Sequence, residues 1–468
     1  MKQALTIAIT MLGLSACAVG PSYTRPDLKV PDKFRWTEDA TTGATFGDLP
    51  WWNLYEDARL QELIRIALTE NADVRIAAAR VEESRAALGS SRLQLLPQIA
   101  AGAAGQRAEF SSDELSAGQP RFGNTFQAQA TLSYELDVWG RLRRSNQAAR
   151  ADFLASEFAK RAVLVGLVSD VATTYFDLLT LHRELAISRR TVDTRLKLVE
   201  LTRAKHDRGV ISGLDVAAAE AQLAVARVAI PQQELGIARA EHLLSVLLGR
   251  YPQAFDLADA MDTVHIAPVP PAGLPSTLLE RRPDVQQSEA QLIAANARFG
   301  AAKAALFPSL SLTGAFGRIS TDLSRLFTPE TVAWSASAGL LQPLLDPQRS
   351  VYTRRAADAR RQAASSGYAQ TVQRALQEVA DALIARTKQS EIESAQKDQV
   401  DALRRASTIA HARYDVGTAS YVDVTNADRD LFGAELSLAT ASRDTLLATV
   451  QLYRALGGGW QPASTVEK

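Results

Sequence analysis

Lys205, His206 and Asp207 place an amine, an imidazole and a carboxylate at three consecutive positions, a set that could perform general acid–base chemistry. The triplet stands at the end of a predicted helix, where a solvated charge cluster is the simpler interpretation. The five histidines, at positions 182, 206, 242, 265 and 411, show no His-x-x-x-His spacing and no cysteine neighbours at metal-binding spacing. We predict no metal site and interpret the histidines as isolated surface or interface residues.

The sequence motifs of common enzyme and cofactor sites are missing. G-x-S-x-G, G-x-x-x-x-G-K-[ST] and G-x-G-x-x-G do not occur, so we predict neither catalytic residues nor a cofactor. Fifty-two basic side chains balance 52 acidic ones, so no overall field would attract nucleic acid. A chain of 468 residues with 46% apolar content can bury a substantial core.

The single cysteine, Cys17, excludes an internal disulfide framework and a zinc site made of several thiolates. Lys2 and an apolar run from Ala4 to Leu14 precede it, which is the order of a secretory signal. Leu-Ser-Ala-Cys resembles the lipobox of bacterial lipoproteins. The resemblance implies that residues 1–16 are removed, that Cys17 carries a lipid, and that Ala18 directs the product to the outer membrane. The alternative is an ordinary signal peptide.

The sequence contains an internal repeat. Asp73-Val74 and Pro97 recur as Asp284-Val285 and Pro308, displaced by 211, and further along Gly209 and Asp215 recur as Gly417 and Asp423, displaced by 208. We predict a first repeat at 57–249 and a second at 275–457, joined by a proline-rich linker at 250–274. Residues 17–56 form an N-terminal extension, and 458–468 form the tail.

Each repeat reads as a helix, two strands, a long helix and a returning helix. The opening helix of the first repeat is predicted from Asp57 to Leu95. The strands are predicted at 98–104 and 125–139 in the first repeat, and at 309–316 and 332–340 in the second. Apolar and polar residues alternate strictly from Thr125 to Trp139, as in a strand between lipid and water; a long strand of a soluble sandwich is the alternative.

The long helices set the scale of the molecule. No proline interrupts 141–208 or 348–461, and 67 helical residues would extend roughly 100 Å. Apolar residues between Leu185 and Val199 follow coiled-coil spacing. Gly209 and Gly417 are predicted to end these helices and begin the turns.

Four strands leave two open edges, which hydrocarbon does not tolerate. Beyond residue 16 no segment approaches the roughly 20 consecutive apolar residues of a membrane helix, so any spanning part must be a barrel. Two copies would give eight strands and three would give twelve; strand periodicity permits either, although a duct favours three.

The segments Cys17 to Pro26, Trp51 to Leu68 and Leu274 to Gly314 resemble outer-membrane efflux proteins of the TolC-like family, in its NodT/OprM-type lipoprotein branch. The resemblance covers nearly the whole chain. It implies a mixed α/β membrane protein, a homotrimer with a 12-stranded β-barrel and an α-helical periplasmic tunnel. It also implies a periplasmic adaptor, an inner-membrane pump and contact with outer-membrane lipid as partners.

By position, Val422 matches an apolar constriction of the family's periplasmic gate, and Asp423 matches an acidic ring facing the pore. Asn426 stands where some members carry a second acidic ring, and Asp215 is the partner of Asp423 in the first repeat. Carboxylates gathered by threefold symmetry would repel, raising at least one pKa. The alternative is that these carboxylates stabilise helix N-termini.

The two helical turns resemble the tips that meet the adaptor, although a plain exposed hairpin is the alternative. Their residues are Gly209, Val210, Ile211 and Ser212, and Gly417, Thr418, Ala419 and Ser420. The predicted function is a duct for small toxic compounds. Its rivals are an outer-membrane enzyme such as a lipase, and a structural lipoprotein with a coiled-coil stalk.

Overall fold

The computed structural model describes residues 19–31, 33, 57–111, 121–255, 278–342 and 347–458. Cys17, the leader 1–16, the tail beyond 458 and most of the extension and linker lie outside these residues. The chain divides into two compact units. The sheet unit comprises Met1–Asp27, Arg80–Glu157 and Gln287–Ala369, and the helical unit comprises Leu28–Ala79, Phe158–Gln286 and Gln370–Lys468.

The described residues form eight α-helices and four strands. In chain order these are α1 Ala58–Glu70, α2 Ala72–Leu93, β1 Gln98–Glu109, β2 Phe122–Leu136, α3 Arg141–Asp207, α4 Gly213–Leu247, α5 Leu278–Arg281, α6 Pro283–Ala304, β3 Ser309–Ser320, β4 Val332–Leu341, α7 Pro347–Asp415 and α8 Tyr421–Ala455. Two single-turn 3₁₀-helices, Leu323–Arg325 and Pro329–Thr331, lie between β3 and β4. Helices α3 and α7, of 67 and 69 residues, are each about 100 Å long.

The four strands pair as an antiparallel sheet in the order β1-β2-β3-β4. Gln98 pairs with Ser133, Leu136 with Leu310, and Ser309 with Leu341, so the helices adjoin one end of the sheet and the hairpins lie at the other. Among the described residues, β1 and β4 each have one neighbouring strand. Within the described part of one chain, the sheet therefore has two open edges.

The register sorts the side chains onto two chemically different faces, because residues paired across antiparallel strands point to the same side. One face is mainly apolar and carries Ile99, Leu132, Tyr134, Leu310, Leu312, Phe316, Trp334 and Leu340. The other is mainly hydroxyl and amide, with Gln98, Gln106, Gln127, Gln129, Thr131, Ser133, Ser311, Thr313, Ser335 and Ser337. Glu135, also on the polar face, is paired with Arg141 at 2.6 Å.

Strand β2 ends earlier than the alternating pattern predicted. It stops at Leu136 because the carboxylate of Asp137 accepts the backbone N–H groups of Leu142 and Arg143, at 2.9 and 2.8 Å, and so starts α3. Gly140, with φ of +79°, completes the turn. The alternation of Val138 and Trp139 therefore lies outside the strand. At the hairpin end the strands are longer than predicted, since β1 reaches Glu109 and β3 reaches Ser320.

The predicted helix from Asp57 to Leu95 is in fact two helices. Asn71 separates them: its side-chain oxygen accepts the N–H groups of Asp73 and Val74, at 2.7 and 3.2 Å, and caps α2. Its amide nitrogen donates to the carbonyl of Leu247, 2.9 Å away. The break was missed because an asparagine inside an alanine-rich helical pattern gives little local signal.

The core of the helical unit is built around α3. Leu60, Leu63 and Ile64 of α1 pack there with Val171, Tyr175 and Leu178 of α3 and with Val450 and Tyr453 of α8. Helix α3 is also the one described helix long and apolar enough to cross a membrane, with a mean hydropathy of 1.5 over 18 residues. Because 61% of that window is buried within the fold, its apolar residues are accounted for as core.

Candidate functional site

The predicted turns form at the ends of the two long helices. Gly209 and Gly417 adopt positive φ values of +73° and +78°, which confirms that these glycines end α3 and α7. A Cβ at either position would meet nothing within 4 Å, so the turn requires glycine for its backbone conformation and not for space.

Both turns lead into their next helix through the same capping box. Ser420 donates its N–H and Oγ to Oδ2 of Asp423, at 2.9 and 3.0 Å, and accepts the N–H of Asp423 on its Oγ at 3.4 Å. Ser212 and Asp215 repeat this arrangement, with distances of 3.1, 2.9 and 3.4 Å. Asp423 and Asp215 therefore both cap helices, as the alternative interpretation of these carboxylates predicted.

The first turn of α8 has a buried side and an exposed side. Tyr421 and Val424 are buried in a small core with Val199, Leu223 and Tyr414, contributed by α3, α4 and α7. Val422, Asp423 and Asn426 are exposed together, with Val422 exposed to 58%. The structure thus brings the three predicted gate residues of the second repeat onto one open face and anchors that face from behind.

A family model described as "Outer membrane efflux protein" matches residues 63–250 and 274–458. The chain belongs to this family. Its two matched segments nearly coincide with the two sequence repeats, and the family is one of outer-membrane efflux channels, as the sequence resemblance predicted.

Relatives of this efflux protein match it over nearly its full length. It is 34% identical to the toluene efflux pump outer membrane protein TtgC of Pseudomonas putida, covering 98% of this chain and 96% of the relative. It is 33% identical to the cation efflux system protein CusC of Escherichia coli, covering 96% and 97%. The open-state MtrE outer membrane channel of Neisseria gonorrhoeae superimposes with a TM-score of 0.85 at 30% identity, covering 95% and 99%.

The capping box sets the ionisation of Asp423 in this efflux protein. Hydrogen bonds from the backbone N–H and hydroxyl of Ser420 lower the pKa of Asp423 below its usual 3.8. Within one chain the shift is therefore opposite to the rise predicted for a symmetric acidic ring. Asp423 is ionised throughout the neutral range.

Replacing Ser420 with alanine should loosen the start of α8. The lost cap frees the N–H of Asp423 and raises the pKa of its carboxyl, so amide exchange at residues 421–424 should quicken about fivefold. The lowered pKa of Asp423 contributes stability that is complete above 3.8 and is lost as the pH falls through the folded-state value, so the difference from wild type should shrink in that range. Hydrogen–deuterium exchange measures the rates of these amides. Ser212→Ala, which alters the other turn, should leave those rates unchanged.

Ion pairs join the helices of each hairpin in a common register. Residues equally distant from the turn face each other in an antiparallel hairpin, and this places Arg203 against Glu220 and Arg404 against Glu435. The same register pairs His411 with Asp428, at 2.9 Å. The prediction that His411 is an isolated histidine is therefore wrong. His411 and Asp428 are equally distant from the turn in sequence, and this equal spacing could have predicted their contact. Among the described residues no group of His, Cys, Asp and Glu could hold a metal ion.

Proposed function

We propose that three copies of the chain close one twelve-stranded barrel in the outer membrane, continued by their long helices as a periplasmic duct. The observation that carries this proposal is the sheet: two open edges and one apolar face suit neither a soluble monomer nor a lone chain in lipid. With the apolar face toward lipid, the hydroxyl and amide face lines the lumen. Twelve strands enclose an open lumen, whereas eight would be filled by side chains.

The first turn of α8 forms the periplasmic entrance of this duct. Val422 supplies an apolar constriction, Asp423 an acidic ring and Asn426 a neutral polar position beside it, while Asp215 remains a helix cap. The exposure of Val422, Asp423 and Asn426 on one anchored face supports this assignment. The turns 209–212 and 417–420 meet a periplasmic adaptor, which links the duct to an inner-membrane pump.

Cys17 carries the lipid that anchors the chain in the outer membrane. The duct performs no chemical reaction and holds no cofactor. The nearly uncharged polar face of the sheet supports passage of small toxic compounds without strong selection by charge, so selection takes place upstream.

Single-channel recording in a planar bilayer tests the duct. Purified protein should give discrete conductance steps, and Val422→Asp, which places a charge in the proposed constriction, should change their size. A structural lipoprotein would give no steps, and that outcome would reject the proposal.

Site-specific cross-linking tests the adaptor contact. Cys17 is the only cysteine, so an engineered thiol reports from a known position. Ala419→Cys should cross-link to the adaptor, whereas Ile392→Cys, at an exposed position within α7, should not. Equal cross-linking from both would argue against the turns as the contact.

A further inference from the structure

The hairpin ion pair nearest the turns occurs twice, with different chemistry. Arg203–Glu220 in the first repeat and His411–Asp428 in the second are displaced by 208 residues, the offset of the repeat. The first pair is exposed, with 60% and 46% of the two side chains accessible, and its cation is permanent. The second is more buried, at 32% and 15%, and its cation is an imidazolium, which can release its proton.

Two residues of α7 hold the side chain of Asp428 in α8. His411 Nε2 lies 3.0 and 2.9 Å from the two carboxylate oxygens, and Ser407 donates its hydroxyl to Oδ1 at 2.7 Å. Asp428 is four residues from Val424, the buried anchor of the proposed entrance turn. Whatever holds Asp428 therefore helps to fix the position of that turn.

A second cation, Arg195, lies near Asp428. Arg195 of α3 is only 3% exposed; its Nη1 donates to the carbonyl of Gln222 at 2.6 Å, and its guanidinium stacks on Phe432, 5.1 Å away. Its Nη2 is buried without a hydrogen-bond partner among the described residues. Arg195 and Asp428 line one small cavity of about 10 Å³, about the least space that admits a single water.

Of the other charged groups that line the cavity beside His411, Glu435, Arg190 and Arg404 are paired with one another. Glu435 of α8 binds Arg190 of α3 at 2.8 Å and Arg404 of α7 at 2.9 Å. Asp415, on the same helix as His411, adds a further favourable charge for the imidazolium. Asp428 is thus the carboxylate that His411 and Arg195 can share.

We infer that Asp428 positions the entrance turn by exchanging between two cations: His411 holds it to α7 while the imidazole is protonated, and Arg195 takes it toward α3 when the imidazole is neutral. The exchange loosens the α7–α8 hairpin behind Val422 and makes the entrance easier to open. This inference rests on the proposed function, because it requires that the start of α8 forms the entrance.

The pH window follows from the direction of the shift. The hydrogen bond to Asp428 raises the pKa of His411 above its usual 6.5, despite opposing burial. A raised histidine pKa contributes stability that is complete below 6.5 and is lost as the pH rises through the folded-state value. The hairpin is therefore held below pH 6.5 and released as the pH rises through the raised pKa of His411. Asp423, whose pKa is below 3.8, does not titrate in this window.

Two measurements on the full-length protein test the exchange. Histidine hydrogen–deuterium exchange by mass spectrometry gives the pKa of His411, which should be above 6.5 in wild type and fall in Asp428→Asn. Open probability in planar bilayers should rise with pH through a one-proton transition at that same pKa. The open probability of His411→Arg should stay low at every pH, because the charge of arginine is permanent. That of His411→Asn should be high at every pH.

Arg203→Gln is the matched control, since it removes the exposed pair of the first repeat and should leave the pH transition in place. A normal pKa for His411, or transitions that persist in both His411 variants, would overturn the inference. A raised pKa without any pH dependence of opening would also overturn it, while conductance itself would still support the duct. If no conductance is seen at all, the proposed function is rejected, and this inference is rejected with it.

Discussion

Replacing Gly317 with alanine should abolish the assembled channel. Gly317 lies in β3 opposite Gln129, and a Cβ there would overlap the carbonyl oxygen of Ala128 and Cα of Gln129. Backbone atoms of a paired strand cannot move aside without breaking the ladder between β2 and β3. We expect a loss of about 3 kcal/mol or more, at the upper end of overpacking effects, in every chain of the assembly.

The same strand supplies a matched control. A Cβ at Gly314 would have its nearest neighbour, the carbonyl oxygen of Ser335, at 3.6 Å, which is an ordinary contact. Gly314→Ala should therefore accumulate as heat-dissociable oligomer in outer-membrane fractions and protect cells from toxic compounds, whereas Gly317→Ala should do neither. Wild-type amounts of Gly317→Ala oligomer would contradict the close approach of the two strands.

The parts of the fold that sequence predicts are those written in long periodic patterns. Two repeats, four amphipathic strands and two helices of nearly 70 residues follow from alternation, from missing prolines and from a constant offset. The turn glycines were also predictable, because positive φ at a helix end strongly favours glycine. The alternating strand pattern alone left the number of chains open, since each added chain extends the sheet by the same kind of strand pairing.

Other features depend on partners far away in the chain. Asn71 breaks a helix while bonded to Leu247, and Asp137 ends β2 by capping the following helix although the alternation continues. His411 looked isolated because its partner, Asp428, lies beyond the turn. The buried Arg195 carried no sequence signal, since an arginine on a long helix is normally exposed. Such contacts become visible only when the positions of the elements in space are known.

Replacing Arg282 with alanine should destabilise the helical unit more than the loss of an exposed ion pair would. Arg282 stands between α5 and α6 with its side chain only 8% exposed. It bonds Asp284 at 2.6 and 3.0 Å, Glu378 of α7 at 2.7 Å, and the carbonyl of Ala455 in α8 at 3.0 Å. Losing these contacts should cost about 2–3 kcal/mol, below the range for fully buried pairs because both carboxylates are partly exposed.

The pH dependence and a graded substitution separate this ionic role from simple packing. Burial is the largest single influence and raises the pKa of Asp284, but the hydrogen bond and charge of Arg282, together with backbone N–H groups, leave that pKa lowered. The ionic contribution is therefore complete above 3.8 and fades as the pH falls further. Denaturant midpoints should therefore converge for wild type and Arg282→Ala under acid conditions. Arg282→Lys should be intermediate, because one ammonium cannot reproduce the forked contacts. Arg189→Ala, which removes an exposed pair of 3.0 Å, should change stability by no more than about 0.5 kcal/mol. Equal losses of stability in Arg282→Ala and Arg189→Ala would show that burial of the Arg282 guanidinium does not strengthen its bonds to α7 and α8.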